Sequence, residues 1–184
     1  EEARIGADGL IARGSFAYGK SKPGDIFEPL DLEGDSFVGD VSVSYPLIRQ
    51  RRRSLYASGG LEWVDQVTEF ATGDILTEDR LRVFYARLDG EARRFTYGQP
   101  LGINAGIELR KGVEGLGSSE AGENTLSRTD GVPDAWVVRL SGRVEQAFGP
   151  YFTARVLADA QYSDDPLLAY EELAVGNLTI ARGC

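Results

Sequence analysis

The 184-residue chain has no histidine, no methionine and a single cysteine, Cys184, at its last position. Without histidine there is no Ser-His-Asp or Cys-His catalytic group, no His-ligated zinc and no histidine pH switch. One cysteine closes no internal disulfide and builds no multi-cysteine metal site. Prolines number only 7, and no apolar run approaches the roughly 18 residues of a membrane-crossing helix. Positive charge is also scarce: 20 Lys and Arg stand against 29 Asp and Glu, a formal net charge of −9. Duplex binding rests on clustered Lys and Arg that neutralise phosphates. The one dense basic run, Arg49 to Arg53 with Gln50 inside it, reads as a turn rather than a groove. No enzyme activity, cofactor, metal or nucleic-acid partner is therefore expected. With no Met and no charged, apolar leader ahead of the first strand-like segment, the chain is expected to be an excerpt of a longer protein.

What the chain has in quantity is glycine, 23 of 184 residues, against roughly 7% on average, together with a strong period of two. In one segment Trp136, Val138, Leu140, Gly142 and Val144 share a face opposite Val137, Arg139, Ser141, Arg143 and Glu145. After the turn at Ala147 to Pro150, Phe152, Ala154, Val156, Ala158, Ala160 and Tyr162 oppose Thr153, Arg155, Leu157, Asp159 and Gln161. Such alternation marks paired strands with one apolar and one polar face. Upstream, Leu101, Ile103, Ala105, Ile107 and Leu109 oppose Asn104, Glu108 and Arg110, and Phe37, Val41, Val43 and Tyr45 oppose Asp40, Ser42 and Ser44.

An all-β chain of about seven up-and-down strands is expected, over about 8–20, 35–46, 54–66, 79–91, 100–112, 134–146 and 151–163. In the fourth, Val83, Phe84 and Tyr85 break the parity, which predicts a bulge. Strands of this length exceed the roughly 5 to 6 residues usual in globular sheets and match the roughly 9 to 11 of a tilted membrane-spanning strand. The connections alternate too: long at 21–34, 67–78 and 113–132, shorter at 46–53, 92–99 and 147–150. Outer-membrane barrels pair short periplasmic turns with long external loops, and carry aromatic girdles such as Tyr18, Tyr45, Trp63, Trp136, Phe152 and Tyr162 would supply. A soluble barrel or sandwich has the same alternation, but a face built from Ala154, Ala158, Ala160 and Gly142 would pack a soluble core thinly. Lipid contact suits it better. The opposite face would then line an aqueous lumen, with Arg139, Arg143 and Arg155 facing Glu145 and Asp159 on neighbouring strands; cross-strand charge pairing alone produces the same ladder.

The segment DDPLLAYEELAVGNLTIARG, residues 164–183, resembles the DPLL, Glu-Glu-hydrophobic, Gly-rich and Arg-Gly succession of the two-partner-secretion outer-membrane transporters, the TpsB family of hemolysin activation/secretion proteins. GDSFVGDVSVSYPLIRQRRRSLYASGGLEWVD and EDRLRVFYARLDG resemble further strands of that family, so the likeness runs through nearly the whole chain in order. It implies an antiparallel transmembrane β-barrel of sixteen strands in the bacterial outer membrane, working as a monomer. The strands here would be its fifth to eleventh, followed by an inward-folding loop from 164 to 184. It also implies a function: type V export of a large secreted passenger protein from periplasm to surface through the lumen. A barrel-assembly or porin-like protein is the alternative, and a soluble β-barrel binding module a more distant one. The family's Val-Arg-Gly-Tyr or Phe loop motif matches at Arg182 and Gly183, departs at Ala181 and Cys184, and has Gly176-Asn177 where a Gly-Gly precedes it. Such an arginine can pair with wall carboxylates, and the glycine permits a close turn beside it.

Other constellations carry less. Glu171-Glu172 and Asp164-Asp165 are expected to be solvated loop carboxylates rather than an acid/base pair. GLGSSEAG, 115–122, lacks the following helix and Lys-Ser/Thr of a phosphate cradle and reads as a mobile loop. Arg49 to Arg53 fit either anionic lipid headgroups or a solvated turn.

Overall fold

The computed structural model describes residues 1–6, 8–22, 32–70 and 72–173. Eight strands run through them: β1 (Glu2–Ile5), β2 (Leu10–Ser21), β3 (Leu32–Gln50), β4 (Arg53–Phe70), β5 (Ile75–Thr96), β6 (Gln99–Gly112), β7 (Trp136–Phe148) and β8 (Phe152–Tyr162). They form one sheet in chain order, every neighbour antiparallel, with no crossover. The strand beyond the expected seven is β1, whose four residues pair from Glu2↔Arg13 to Ile5↔Leu10. Four residues are too few for alternation to show. Its turn into β2 uses Gly6 and Gly9, both at positive φ.

The register carries the alternation across the sheet. Asp40, Glu62 and Val83 lie in one row on the polar face, Ser42, Gly60, Tyr85 and Arg110 in the next, and Ser58, Arg87, Glu108, Arg139 and Gln161 in a third. On the other face Phe16, Val41, Leu140 and Val156 stand with 82%, 57%, 48% and 64% of their surface open. A soluble sandwich would bury that face; here it is uncovered along most of the sheet.

Three strands outgrow their expected length, β3 with 19 residues, β4 with 18 and β5 with 22. The connection expected at 67–78 shrinks to the residues between Phe70 and Ile75, closed by the Gly73 N–H donating to the Phe70 carbonyl at 2.8 Å. At about 3.4 Å per residue, β5 is about 75 Å long, whereas a strand tilted 45° crosses a roughly 30 Å hydrocarbon layer in about 42 Å. The outer parts of β3 to β5 therefore extend past such a layer on the long-connection side. Beyond it an apolar face is not required, and that is why composition reads these residues as loop. At the other end the turns are tight. Arg51-Arg52 joins β3 to β4, and Tyr97-Gly98, with φ of 52° and 72°, joins β5 to β6. Positive φ at both central residues matches the twist of a two-residue hairpin.

The bulge expected in 79–91 is absent. The β4–β5 ladder is continuous from Thr77 to Ala92, and the irregularities lie instead at Thr68/Glu69 and at Pro46/Ile48. Proline lacks an N–H, and Pro46 lies past the end of the β2 ladder, which stops at Ser44. The broken parity of β5 has another cause: its outer third is covered by the 113–135 connection. The Val113 N–H donates to the Arg82 carbonyl at 2.9 Å, Ser119 N–H to the Arg80 carbonyl at 2.9 Å and Glu78 N–H to the Thr125 carbonyl at 2.6 Å. Arg82 is enclosed, donating to Asp65 at 2.7 Å and to the Val64, Leu81 and Leu116 carbonyls. GLGSSEAG is thus a cap on a strand edge rather than a mobile loop, with Ser119 buried and its Oγ accepting from the Arg80 N–H at 3.1 Å.

The apolar core lies on the polar side, under two connections. Val64, Leu81 and Val83 from the sheet meet Leu126 and Leu168 from the loops, with Val38 and Tyr170 at the edge.

In a bilayer, Val156→Arg should lower unfolding free energy by about 2–4 kcal/mol at mid-depth, while Leu157→Arg, next along on the opposite face, should change it by about 0.5 kcal/mol, as a solvated substitution does. Urea titration of the protein in lipid vesicles measures both, and equal costs would mean that the faces are assigned the wrong way round.

Candidate functional site

Arg110, on β6, is only 4% exposed although it stands on the polar face. A guanidinium out of water needs carboxylates in good geometry, and the rows on either side of its own, together with the connection after β8, supply them. Nη2 donates to Glu62 at 2.7 Å and to Glu171 Oε1 at 2.6 Å, Nε donates to Glu171 Oε2 at 3.0 Å, and Nη1 reaches Glu108 at 3.3 Å. The contact with Glu171 is a two-bond fork, the geometry that suits guanidinium to carboxylate. Arg139 on β7 donates to Glu171 Oε2 at 3.1 Å and to the Glu171 carbonyl at 3.0 Å, and Gln161 on β8 donates to the same carbonyl at 2.7 Å. Arg87 and Arg139 lie 3.6 and 3.8 Å from Glu108. The carboxylates of Glu62, Glu108 and Glu171 are therefore matched by the guanidiniums of Arg87, Arg110 and Arg139.

Glu171 does not belong to the sheet. It is delivered by the connection after β8, and that segment is held at several points. Its N–H closes a turn onto the Leu168 carbonyl at 2.9 Å, Leu168 is buried in the apolar cluster, and the Val132 N–H donates to the Pro166 carbonyl at 2.9 Å. Gly131 leaves room for this, since a Cβ there would come within 2.5 Å of Leu168 Cδ2. Burial, reinforced by the Glu62 carboxylate, pushes the Tyr170 hydroxyl up to about 12, so it stays a neutral phenol in the apolar cluster. Glu171 itself is 5% exposed, which overturns the expectation of a solvated carboxylate; Glu172 is exposed and pairs with Arg128.

Next to this cluster, Tyr85 lies across Gly60 and donates to Asp40 at 2.7 Å, linking β5 to β3 over β4. A Cβ at Gly60 would meet the Tyr85 hydroxyl at 2.7 Å and the Val41 carbonyl at 2.6 Å. Toward the short turns the polar face is laced by pairs two residues apart on one strand: Arg87 with Asp89 at 2.8 Å, Arg93 with Glu91 at 2.7 Å and Arg143 with Glu145 at 2.9 Å. A concavity of about 780 Å³ is bordered by Arg13, Asp40, Glu62, Arg87 and Arg110, and one of about 360 Å³ by Arg87, Asp89, Asn104, Arg143 and Asp159. Among the described residues no group of three or more side chains is arranged to hold a metal ion. The arrangement binds and orients charge and contains no activated nucleophile.

The residues singled out from the sequence separate into four sets. Arg139 joins the buried cluster rather than facing Glu145 or Asp159. Arg143 and Arg155 share Glu145, at 2.9 and 3.0 Å. Asp159 borders the smaller concavity and makes no ion pair among the described residues. Arg182, Gly183 and Gly176 lie outside the described residues. Sequence reasoning missed Arg110, Glu62 and Glu108 as a unit. The available signal was a glutamate on the polar side of β4 and a glutamate and an arginine on that of β6, but their register is not readable from one sequence.

A family model of haemolysin secretion/activation proteins, ShlB/FhaC/HecB, matches residues 13–183. The chain belongs to that family. Its members are outer-membrane transporters of Gram-negative bacteria serving two-partner secretion, a transporter class rather than an enzyme class. The open antiparallel sheet is accordingly part of a membrane β-barrel. Neither a curated protein nor a solved structure matches the chain. For this ShlB/FhaC/HecB member, Glu171→Ala should detach the 163–173 segment while leaving the strands paired, because Arg110 keeps Glu62 and Glu108. The Glu171–Arg110 coupling in a double-mutant cycle should reach about 2–3 kcal/mol. Hydrogen exchange should accelerate at the Glu171 and Val132 amides and remain slow across the β5–β6 ladder; unchanged exchange at those two amides would show that the ion cluster does not hold the segment.

Proposed function

We propose that the barrel containing this sheet carries a secreted partner protein, unfolded, from periplasm to cell surface along the polar face. The observation that supports this best is the wall itself. Its arginines are neutralised locally by carboxylates two residues away or on the adjacent strand, so the surface is polar and hydrated but offers a passing chain few unpaired charges to bind. A conduit for an extended polypeptide needs contacts that form and exchange easily, and paired charges satisfy that need. Transport would draw on folding of the emerging passenger outside the cell.

In this reading the eight strands are the fourth to eleventh of a sixteen-stranded monomeric barrel, and the segment after β8 is the loop that folds into the lumen. The contacts of Glu171 with Arg110 and Arg139 support an inward course for its first ten residues. Arg182 and Gly183 would continue it, with Gly176 as a point of close turning. Passage of a polypeptide then requires that the Glu171 contacts loosen, which links the ion cluster to opening.

In the full-length protein, Arg182→Ala should reduce passenger secretion by about tenfold, the equivalent of one charge-assisted hydrogen bond, with heat-modifiable barrel assembly in the membrane unchanged. Secretion assays alongside membrane fractionation separate the two. Normal secretion would remove Arg182 from the mechanism.

A further inference from the structure

Ten of the arginines in the described residues have a carboxylate within salt-bridge distance: Arg13, Arg80, Arg82, Arg87, Arg93, Arg110, Arg128, Arg139, Arg143 and Arg155. Those without one are Arg4, Arg49, Arg51, Arg52, Arg53 and Arg94. All of these lie at the short-turn end of the sheet. Arg51 and Arg52 are the β3–β4 turn, Arg49 and Arg53 flank it, Arg94 precedes the β5–β6 turn, and Arg4 lies next to the β1–β2 turn. The Arg93 N–H donates to the Arg52 carbonyl at 2.8 Å, joining the first of these turns to β5. The acids toward this rim are Asp8, Glu91 and Glu145; Glu91 is taken by Arg93, and Glu145 is shared by Arg143 and Arg155. In a chain of net charge −9, such a concentration of unmatched positive charge at one end calls for an anionic partner from outside the chain.

The register shows which way part of this charge faces. Arg53 is opposite Ala92 and Arg94 opposite Leu101, which puts both at the margin of the apolar face. Toward the same end of the sheet Phe148 and Phe152 are paired on that face, 58% and 76% exposed, and Tyr97 and Tyr151 project from the turns almost fully exposed. Aromatic rings beside guanidiniums at the edge of a lipid-facing surface define a headgroup level, where rings occupy the interface and guanidiniums meet phosphate.

We propose that this rim is a docking surface for phosphate-bearing anionic lipid of the leaflet nearest the short turns, with Arg51, Arg52, Arg53 and Arg94 gripping the headgroup phosphates. The proposal rests on the membrane-barrel assignment. It fixes the vertical position and tilt of the sheet by a contact that the rest of the polar face, with its arginines already paired, does not offer.

The test uses the full-length protein in phosphatidylcholine vesicles carrying either spin-labelled phosphatidylglycerol or spin-labelled phosphatidylcholine as a minor component. Wild type should immobilise phosphatidylglycerol at least about fivefold more strongly, the factor expected of one arginine at an anionic surface. Arg51→Gln, Arg52→Gln, Arg53→Gln and Arg94→Gln together should bring the ratio near one, and the same four positions as lysine should restore it. Equal selectivity in wild type and the glutamine variant overturns the proposal. So does a variant that keeps lipid selectivity but no longer retains an acidic passenger peptide, which would make the rim a polypeptide site. Should the glutamine variant fail to assemble, Arg53→Gln with Arg94→Gln alone must still lower the ratio. Wild type that does not insert into phosphatidylcholine vesicles at all would instead remove the barrel assignment, and the docking surface with it.

Discussion

Inside a hydrocarbon layer a backbone N–H or C=O has no water to bond, so each strand must give all of its polar backbone groups to two neighbours. Side chains alternate between the faces of the resulting sheet, and every strand must therefore serve lipid and water at once. The rest of the architecture follows from this constraint. The ladders of β3 to β7 are long and almost unbroken, and Pro46, which has no N–H to give, occurs where the β2 ladder has already ended. The short turns take the conformations that let the ladder reverse within two or three residues, and Tyr97-Gly98 and Gly149 adopt positive φ to do so.

The same constraint forces charge onto one side. Side chains that cannot face lipid collect on the polar face, close together, and they must be compatible with one another. Two devices achieve this. Pairs separated by two residues on one strand, such as Arg87 with Asp89 and Arg143 with Glu145, neutralise charge without depending on the neighbouring strand. Glycines make space where neighbouring side chains crowd the polar face, as Gly60 does beneath Tyr85 and Gly106 does where an added Cβ would meet Ser141 Oγ at 2.7 Å and Asp89 Oδ1 at 3.1 Å. The Arg110 cluster differs in being buried, because the segment bearing Glu171 covers it. Leaving a buried guanidinium or carboxylate alone is costly, so each side of this contact requires the other. A transporter that moves this segment needs those groups to be rehydrated in the same step, and a hydrated lumen allows that.

The faces of β3, β6, β7 and β8 were legible from periodicity because both media act along most of their length. Phe37, Val41 and Val43 against Asp40, Ser42 and Ser44 leave no other parity. The signal failed wherever a residue's surroundings come from elsewhere in the chain. Val83 on the polar face appeared as a fault in β5 because Leu126 and Leu168, 43 and 85 residues further on, cover that part of the sheet. Ser119 appeared mobile because its partner is the backbone of Arg80, and Glu171 appeared solvated because Arg110 precedes it by 61 residues. Strand ends were misread outward in β3 to β5 for a different reason: past the lipid layer the alternation is no longer enforced, although the ladder continues.

Arginine shows how far one residue type can be divided by position. At Arg110 it is buried and forked onto Glu171, and there the planar guanidinium matters because two parallel bonds offset the loss of water. At Arg87, Arg143 and Arg155 it is half-open and paired, so its charge is cancelled locally while its hydrogen-bonding capacity keeps the wall wet. At Arg51, Arg52, Arg53 and Arg94 it is exposed and has no carboxylate partner among the described residues, at the end of the sheet where Tyr97, Phe148, Tyr151 and Phe152 are open. Net charge alone conceals this arrangement, since −9 describes neither a nearly balanced wall nor a positive rim. A charge total is an average over three environments, and in a membrane sheet the faces and ends are the units that carry physical meaning.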